Sequence, residues 1–260
     1  MSDPIVIVSA VRTPMGGFQG DFANLTAGEL GAVAIKGAVE RAGISTEDVQ
    51  EVIMGCVLPA GQGQAPARQA ALGANLPLSA GCTTVNKMCG SGMKATMLAH
   101  DLLVAGTNQI MVAGGMESMP NTPYLLPKAR AGLRMGHGEV EDHMFLDGLE
   151  DAYDKGRLMG TYAEECADMF GFTREAQDEF AIASLTRSQT ATTEGKFARE
   201  IVPVTIKTRA GEVVAAEDPF DPESYEALLR IDVKKARASF PGIFEEGAAL
   251  PEFEDDDWDE

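Results

Sequence analysis

The stretch Val85-Asn86-Lys87-Met88-Cys89-Gly90-Ser91-Gly92-Met93-Lys94-Ala95 joins the end of a predicted strand to a helix that begins with small residues. A thiol at Cys89 would lie at the positive end of the helix dipole, which favours the thiolate, the nucleophilic form of cysteine. Gly90 and Gly92 allow a substrate carbonyl to approach the backbone N–H groups closely. The stretch therefore predicts a cysteine nucleophile for acyl transfer on an α/β framework.

Strand and helix patterns alternate on both sides of this stretch. The apolar run at 5–11 predicts a buried strand. The segment 26–42 predicts a helix, with Thr26 as its N-cap and Gly43 after its end. Further strands are predicted at 49–58, 83–86 and 110–114, and further helices at 69–74 and 92–105. This alternation is typical of an α/β sheet with covered faces.

The pattern changes after Glu117. Residues 121–143 are rich in Pro, Gly, Arg, Met and His and predict a loop-rich excursion. Helices are predicted at 161–170 and 173–194, followed by a strand at 201–207, a hairpin turn at Gly211 and a last helix at 222–230. Beyond Asp218 the chain is rich in proline and acidic residues, and residues 245–260 contain nine acidic residues and no basic one. We interpret this end as a solvated, disordered tail.

Composition excludes several classes of function. The 260 residues carry a formal net charge of −19, which argues against binding of the phosphate backbone of nucleic acids. The N-terminal residues lack the basic and long apolar segments of a signal peptide, and no segment is long enough to span a membrane, so we expect a cytoplasmic protein. The four cysteines include no C-x-x-C pair and no adjacent histidine cluster, so we expect reduced thiols and no structural zinc or other metal.

Each cysteine and histidine has a plain structural interpretation beside the functional one. Free cysteines are mostly inert packing residues, and we favour this interpretation for three of the four: Cys56, Cys82 and Cys166. For Cys89 the flanking glycines favour the nucleophile instead. His100 lies about 16 Å along the helix that follows Cys89, which makes it a poor base for that thiol. His137 and His143 are interpreted as hydrogen-bonded loop residues.

Motifs in one register extend the pattern around Cys89 to most of the chain. They are Arg12-Thr13-Pro14 with Gly17 and Phe18, Pro66-Ala67-Arg68-Gln69-Ala70, Gly114-Gly115-Met116-Glu117-Ser118-Met119, Leu158-Met159-Gly160-Thr161 and Glu175-Ala176-Gln177-Asp178. Together with the Cys89 stretch they resemble the thiolases over roughly residues 4–215. The resemblance is to the branch that contains acetyl-CoA acetyltransferases and 3-ketoacyl-CoA thiolases.

The resemblance implies acyl transfer between coenzyme A thioesters, with Cys89 as the covalent acyl carrier and its N–H as part of the oxyanion hole. It implies coenzyme A and acyl-CoA as substrates and no separate cofactor. Leu149, Leu158 and Met159 match positions that line the pantetheine tunnel in thiolases. Many biosynthetic members carry histidine where Leu158 stands, and an apolar stripe in the core of the excursion is an equally good interpretation of Leu149 and Leu158.

The resemblance also has a gap. In thiolases a second cysteine, a histidine and an asparagine complete the site, in motifs of the type C-x-G, G-H-P and N-E-A-F, and none of these motifs occurs here. We therefore expect impaired activity in a chain that lacks the C-terminal catalytic domain. The alternative is a non-catalytic thiolase remnant that binds acyl-CoA or pairs with a complete thiolase subunit. A truncated or frame-shifted gene product is a third interpretation.

The predicted architecture is α/β and thiolase-like, a mixed sheet with helices on both faces plus an inserted helical loop domain. We assign residues 1–117 to the thiolase N-terminal domain, 118–217 to the loop domain and 218–260 to an acidic tail outside the family. Thiolases assemble through the strand that precedes the nucleophile, so the strand at 83–86 predicts a homodimer or a higher oligomer. Fatty acid metabolism is the expected setting.

Overall fold

The computed structural model describes residues 4–209 and 211–218. The chain divides into two compact units, each of which is described by itself. Of the described residues, the first unit contains 4–148, 181–209 and 211–218, and the second contains 149–180. The predicted helix at 222–230 and the acidic tail lie outside the described residues. The predicted domain boundaries stay predictions.

A three-stranded parallel sheet lies at the centre of the first unit. Strand β1 (Glu51–Gly55) runs between β2 (Gly81–Val85) and β3 (Met111–Gly115), with Gly55 paired to Val85 on one side and to Gly115 on the other. Because all three strands are parallel, their carboxyl ends meet at one edge of the sheet. The predicted α/β class is confirmed, and the strands predicted at 49–58, 83–86 and 110–114 are present with ends shifted by one to three residues.

Helices cover both faces of this sheet. The helices of the first half of the chain are α1 (Ala27–Ala42), α2 (Pro66–Gly73) and α3 (Ser91–Val104). Val52 and Met54 of β1 belong to a buried apolar cluster with residues of α1 and α2. Gly55 faces the first turn of α3 instead. Since successive residues of a strand point to opposite faces, α3 packs on the face opposite to α2.

Local signals account for the bounds of these helices. The Thr26 hydroxyl accepts the N–H of Glu29, whose carboxylate accepts the N–H of Thr26, and Gly43 ends α1 in the left-handed conformation with φ +68°. Helix α2 begins at Pro66, three residues before its predicted start. Proline fits the first turn because its missing N–H would have no partner there.

The first turn of α3 lies in direct contact with the end of β1. A Cβ atom on Gly55 would be 2.6 Å from the carbonyl carbon and the Cβ of Ser91, and one on Gly92 would be 3.6 Å from the N of Gly115. Glycine at 55 is thus a condition for this approach, because any side chain there would force the helix away from the sheet. The contact fixes where the residues just before α3 lie.

The predicted buried strand at 5–11 is wrong. No strand is assigned to these residues, and the side chains of Ile5, Val6, Ile7 and Val8 are 40–79% exposed. Within the described residues, the pairing of this part of the chain is limited to an isolated parallel bridge between Arg12 and Ile201. A strand needs a neighbour that completes its hydrogen-bond ladder, and an apolar β-branched run does not supply one.

Arg12 anchors the residues that follow this run. Its Nε donates to Glu200 at 2.8 Å, and its two terminal nitrogens donate to the two carboxylate oxygens of Asp218 at 2.7 and 2.8 Å. Asp218 also accepts the N–H of Met15 at 2.9 Å. The hydrogen bonds from Arg12 hold the pKa of the Asp218 carboxyl below its ordinary value of 3.8. Arg12 lies 5.0 Å from the centre of the Phe197 ring, which adds a cation–π contact.

The remaining elements agree with the predicted pattern. The excursion contains one two-residue antiparallel pair, β4 (Tyr124–Leu125) with β5 (Glu141–Asp142). The later helices are α4 (Met159–Phe170) and α5 (Arg174–Thr193), and the hairpin consists of β6 (Val204–Thr208) and β7 (Gly211–Ala215). No helix in the described part of the chain has the length and apolar character needed to cross a membrane.

Replacing Gly55 with alanine tests the contact between β1 and α3. We expect Gly55→Ala to lower the free energy of unfolding by about 1–3 kcal/mol, because the new Cβ collides with the backbone of Ser91. Urea unfolding followed by circular dichroism measures the change. Gly17→Ala is the matched control, since a Cβ at Gly17 meets nothing within 4 Å, and a loss as large in this control would contradict the explanation.

Replacing Asp218 with asparagine tests the anchor at Arg12. We expect Asp218→Asn to lower the free energy of unfolding at pH 7 by about 1.5–3 kcal/mol, the usual range for a hydrogen bond to a charged group. Because the folded-state pKa of this carboxyl is depressed, its contribution is complete above pH 3.8 and is lost as the pH falls through the folded-state value. The two proteins should therefore converge in strongly acidic solution. Asp21→Asn removes the same charge from an exposed residue and should leave the free energy of unfolding at pH 7 nearly unchanged.

Candidate active site

Cys89 lies at the carboxyl-end edge of the sheet, four residues after β2 ends and directly before Gly90, the N-cap of α3. Its side chain is exposed, so Cys89 is not a buried packing residue. The crevice at the carboxyl ends of parallel strands is where open α/β sheets bind ligands. The unpaired N–H groups at the start of a helix favour negative charge near them.

The turn that carries Cys89 is a fixed one. Met88 adopts the left-handed conformation with φ +49°, and the Oδ1 of Asn86 accepts its N–H at 2.9 Å. The buried Ser91 hydroxyl accepts the N–H of Lys87 at 2.8 Å and donates to the carbonyl of Met88 at 2.5 Å. Sequence reasoning did not single out Asn86 or Ser91. Their residue types could have indicated this role, because Asn and Ser often hydrogen-bond the backbone of a turn through their side chains.

Glu117 holds the loop that follows β1. Its carboxylate accepts the N–H of Val57 at 2.7 Å and the N–H of Leu58 at 3.2 Å. The Asn86 side chain donates to the carbonyl of Val57 at 3.2 Å. Both the N–H and the carbonyl of Val57 are thus hydrogen-bonded. Through Asn86, the loop after β1 is linked to the turn that carries Cys89.

The other cysteines differ in burial. The thiol of Cys56 is buried and donates to Glu117 at 3.5 Å. Burial, and next the charge of Glu117, raise the pKa of Cys56 to about 11, so this thiol stays protonated at neutral pH. Cys82 is half-buried, in keeping with a packing residue. The predicted burial of Cys166 is wrong, because α4 has no buried residue and its cysteine is exposed.

His143 is a hydrogen-bonded structural residue, as predicted. Its side chain is buried, its Nε2 accepts the N–H of Ala60 at 3.3 Å, and its Nδ1 lies 2.6 Å from the carboxylate of Asp147. Accepting a backbone N–H requires an unprotonated Nε2, which places the proton on Nδ1. His100 is exposed and lies 3.4 Å from Asp101.

The three predicted tunnel residues belong to the second unit. Leu149 and Leu158 are half-buried, and Met159 is exposed at the start of α4. An antiparallel bridge joins Glu150 to Leu158, which brings the segments of Leu149 and Leu158 side by side. Cys89 belongs to the first unit. A substrate-binding role for these three residues stays a prediction, as does the nucleophilic role of Cys89.

Comparison with known proteins identifies the family. The family model described as "Thiolase, N-terminal domain" matches residues 5–232. This chain belongs to the thiolase family. The predicted resemblance is confirmed, and the matched range includes the first residues after Asp218.

Proteins named acetyl-CoA acetyltransferase from bacteria, fungi and animals are similar to this chain. Acetyl-CoA acetyltransferase of Cupriavidus necator is 53% identical over 211 residues, which cover 81% of this chain and 53% of the relative. Acetyl-CoA acetyltransferase of Schizosaccharomyces pombe is 53% identical over 80% of this chain and 52% of its own length. The mitochondrial acetyl-CoA acetyltransferase of Rattus norvegicus is 50% identical over 89% of this chain and 52% of its own length. The chain thus spans about half the length of the curated relatives it matches.

The buried thiol of Cys56 predicts a pH dependence of stability in alkaline solution. Its pKa is raised from 9.0 to about 11 in the folded state, so between these values the unfolded chain releases a proton that the folded chain retains. The free energy of unfolding should therefore fall as the pH rises from 9 to 11. Urea unfolding of the wild type and of Cys56→Ala across this range isolates the effect, because lysine and tyrosine titrate in both proteins. Parallel pH profiles would contradict the assignment.

Proposed function

We propose that this chain carries out the acyl-transfer half of thiolase chemistry, with Cys89 as the acyl carrier. The observation that supports it most directly is the exposed Cys89 thiol before the first turn of α3, at the carboxyl ends of three parallel strands. The names of the similar proteins, acetyl-CoA acetyltransferases, support the same chemistry for the substrate class of coenzyme A thioesters.

The step begins with the Cys89 thiolate. Its sulfur attacks the thioester carbonyl of an acyl-CoA, and a bond forms between the sulfur and the acyl carbon. The tetrahedral intermediate then collapses, the bond from the acyl carbon to the coenzyme A sulfur breaks, and coenzyme A leaves as a thiolate that takes up a proton. The Cys89 N–H is the proposed oxyanion donor, and it needs no side chain to perform that role.

Binding of the substrate's pantetheine arm is assigned to Leu149, Leu158 and Met159. Their apolar side chains suit the methylene and methyl groups of pantetheine, and the partial exposure of all three leaves surface for a ligand to cover. Neither the acyl transfer nor the binding of coenzyme A requires a cofactor in this proposal.

Turnover by these 260 residues alone should be low. The sequence contains none of the motifs that supply the second cysteine, the histidine and the asparagine in thiolases. The proposed acyl-Cys89 would thus form without an efficient second half-reaction.

A non-catalytic protein that binds acyl-CoA or pairs with a complete thiolase subunit is the second candidate. The exposed apolar side chains of residues 5–8 favour it, because they are available for a partner strand. Such a protein would bind acyl-CoA without forming a covalent adduct, which separates the two candidates.

The cellular setting belongs to the same proposal. We propose that the protein acts in the cytoplasm, in fatty acid metabolism, as a homo-oligomer that assembles through β2. The relatives include proteins named as mitochondrial, so fractionation of the native host is the direct measure of compartment. Analytical ultracentrifugation gives the oligomeric state.

Incubation with acetyl-CoA tests the acyl-carrier role. We expect the intact mass of the protein to increase by one acetyl group, with the label at Cys89 after peptide mapping. Cys89→Ala should abolish this adduct. Cys166→Ala is the matched control because it removes the other exposed thiol, and this variant should be acetylated at the wild-type rate. An adduct that persists in Cys89→Ala, or its absence in the wild type, would rule out Cys89 as the carrier.

A further inference from the structure

We propose that Asn86 and Ser91 are positioning residues for the Cys89 thiol, which they act on by holding Met88 in its left-handed conformation. The proposal rests on the proposed function in one respect, since it bears on acyl transfer only if Cys89 carries the acyl group. Its geometric part, the orientation of the thiol, stands on the hydrogen bonds of the turn alone.

Met88 needs to be held. A residue with a Cβ loses free energy in the left-handed conformation, and methionine has no short polar side chain that could compensate within the residue. Two side chains supply the compensation from either side. The Oδ1 of Asn86 accepts the Met88 N–H at 2.9 Å, and the Ser91 hydroxyl donates to the Met88 carbonyl at 2.5 Å.

Both side chains are themselves held in place. The Nδ2 of Asn86 donates to the carbonyl of Val57, whose N–H is held by Glu117. Ser91 is buried against Gly55 at the end of β1, where no side chain separates the two backbones. The position of Ser91 therefore follows from the end of β1, and that of Asn86 from the loop after β1 that Glu117 holds.

Cys89 follows Met88 directly, so the backbone rotation at Met88 sets the direction in which Cys89 leaves the turn. With Met88 left-handed, the chain turns sharply and enters α3 at Gly90. If Met88 relaxed to an ordinary conformation, Cys89 would leave the turn in a different direction relative to the start of α3, whose N–H groups attract negative charge. The reactivity of Cys89 is thus the property that Asn86 and Ser91 control.

Alkylation by iodoacetamide at pH 7 tests the proposal without any coenzyme A. The sulfur of the cysteine displaces iodide from the reagent, and peptide mapping by mass spectrometry gives the rate at each thiol. The rate at the exposed Cys166 serves as an internal reference in every variant. We expect Ser91→Ala and Asn86→Ala each to lower the ratio of the Cys89 rate to the Cys166 rate by about three- to tenfold.

Ser118→Ala is the matched control for a lost buried hydrogen bond. Ser118 is buried like Ser91, but its hydroxyl donates to Leu25, outside the turn. We expect Ser118→Ala to leave the ratio unchanged, while thermal unfolding reports whatever stability it loses. An equal fall in the ratio for Ser118→Ala would show that general destabilisation is the cause and would overturn the proposal.

Rescue separates positioning from packing. Glycine adopts the left-handed conformation at no steric cost, so Met88→Gly in the Ser91→Ala background should restore the ratio to within about twofold of the wild type. Met88 is 47% exposed, so this change removes little packing. Unchanged ratios in Ser91→Ala and Asn86→Ala, or a double variant as slow as Ser91→Ala, would overturn the proposal.

Two further outcomes have separate consequences. If Ser91→Ala does not fold, Asn86→Ala carries the test, because Asn86 is exposed and its loss does not open the core. If the ratios shift as expected and acetyl-CoA still leaves no adduct, the acyl-carrier role fails and the positioning of the thiol stands.

Discussion

The close contact between the end of β1 and the first turn of α3 is the constraint on which the rest of the site depends. Gly55 permits it, because a Cβ there would lie 2.6 Å from Ser91. The contact buries Ser91 and aligns the start of α3 with the carboxyl ends of the three parallel strands. Cys89 is then placed by its position in the chain, one residue before the N-cap.

The polar groups around this contact form a connected set. Glu117 follows β3 and bonds the loop after β1, and Asn86 bonds that same loop while capping the turn after β2. The ends of all three strands are thereby tied together by side chains of the adjoining loops. Such a set is what a nucleophile requires, because reactivity depends on a geometry held by supporting hydrogen bonds.

Sequence patterns predicted the parts of this structure whose signals are local. Thr26 with Glu29 and the terminal Gly43 define α1 from a few adjacent residues, and the predicted helix matches it. The prediction of a buried strand at 5–11 is wrong because a strand depends on a distant neighbour, which propensity does not report. The predicted burial of Cys166 is wrong for a related reason, since a helical pattern does not reveal whether another element covers that face.

The sequence predicts where Cys89 lies, between a strand and a helix, but it does not predict the side chains that hold its turn. Cys89 and its glycines stand out in the sequence because their combination suits one chemistry. The left-handed Met88 does not, because methionine rarely adopts that conformation and nothing in its residue type announces it. Asn86 and Ser91 are common turn residues, and only their bonds to Met88 distinguish them from ordinary caps.

A crystal structure of the protein after exposure to acetyl-CoA tests the central claim most directly. We expect electron density for an acetyl group on the Sγ of Cys89, with the acetyl oxygen within hydrogen-bonding distance of the Cys89 N–H and Met88 still left-handed. Acetylation of Cys166 with Cys89 left unmodified would contradict the claim. An acetyl oxygen directed away from the start of α3 would also contradict it.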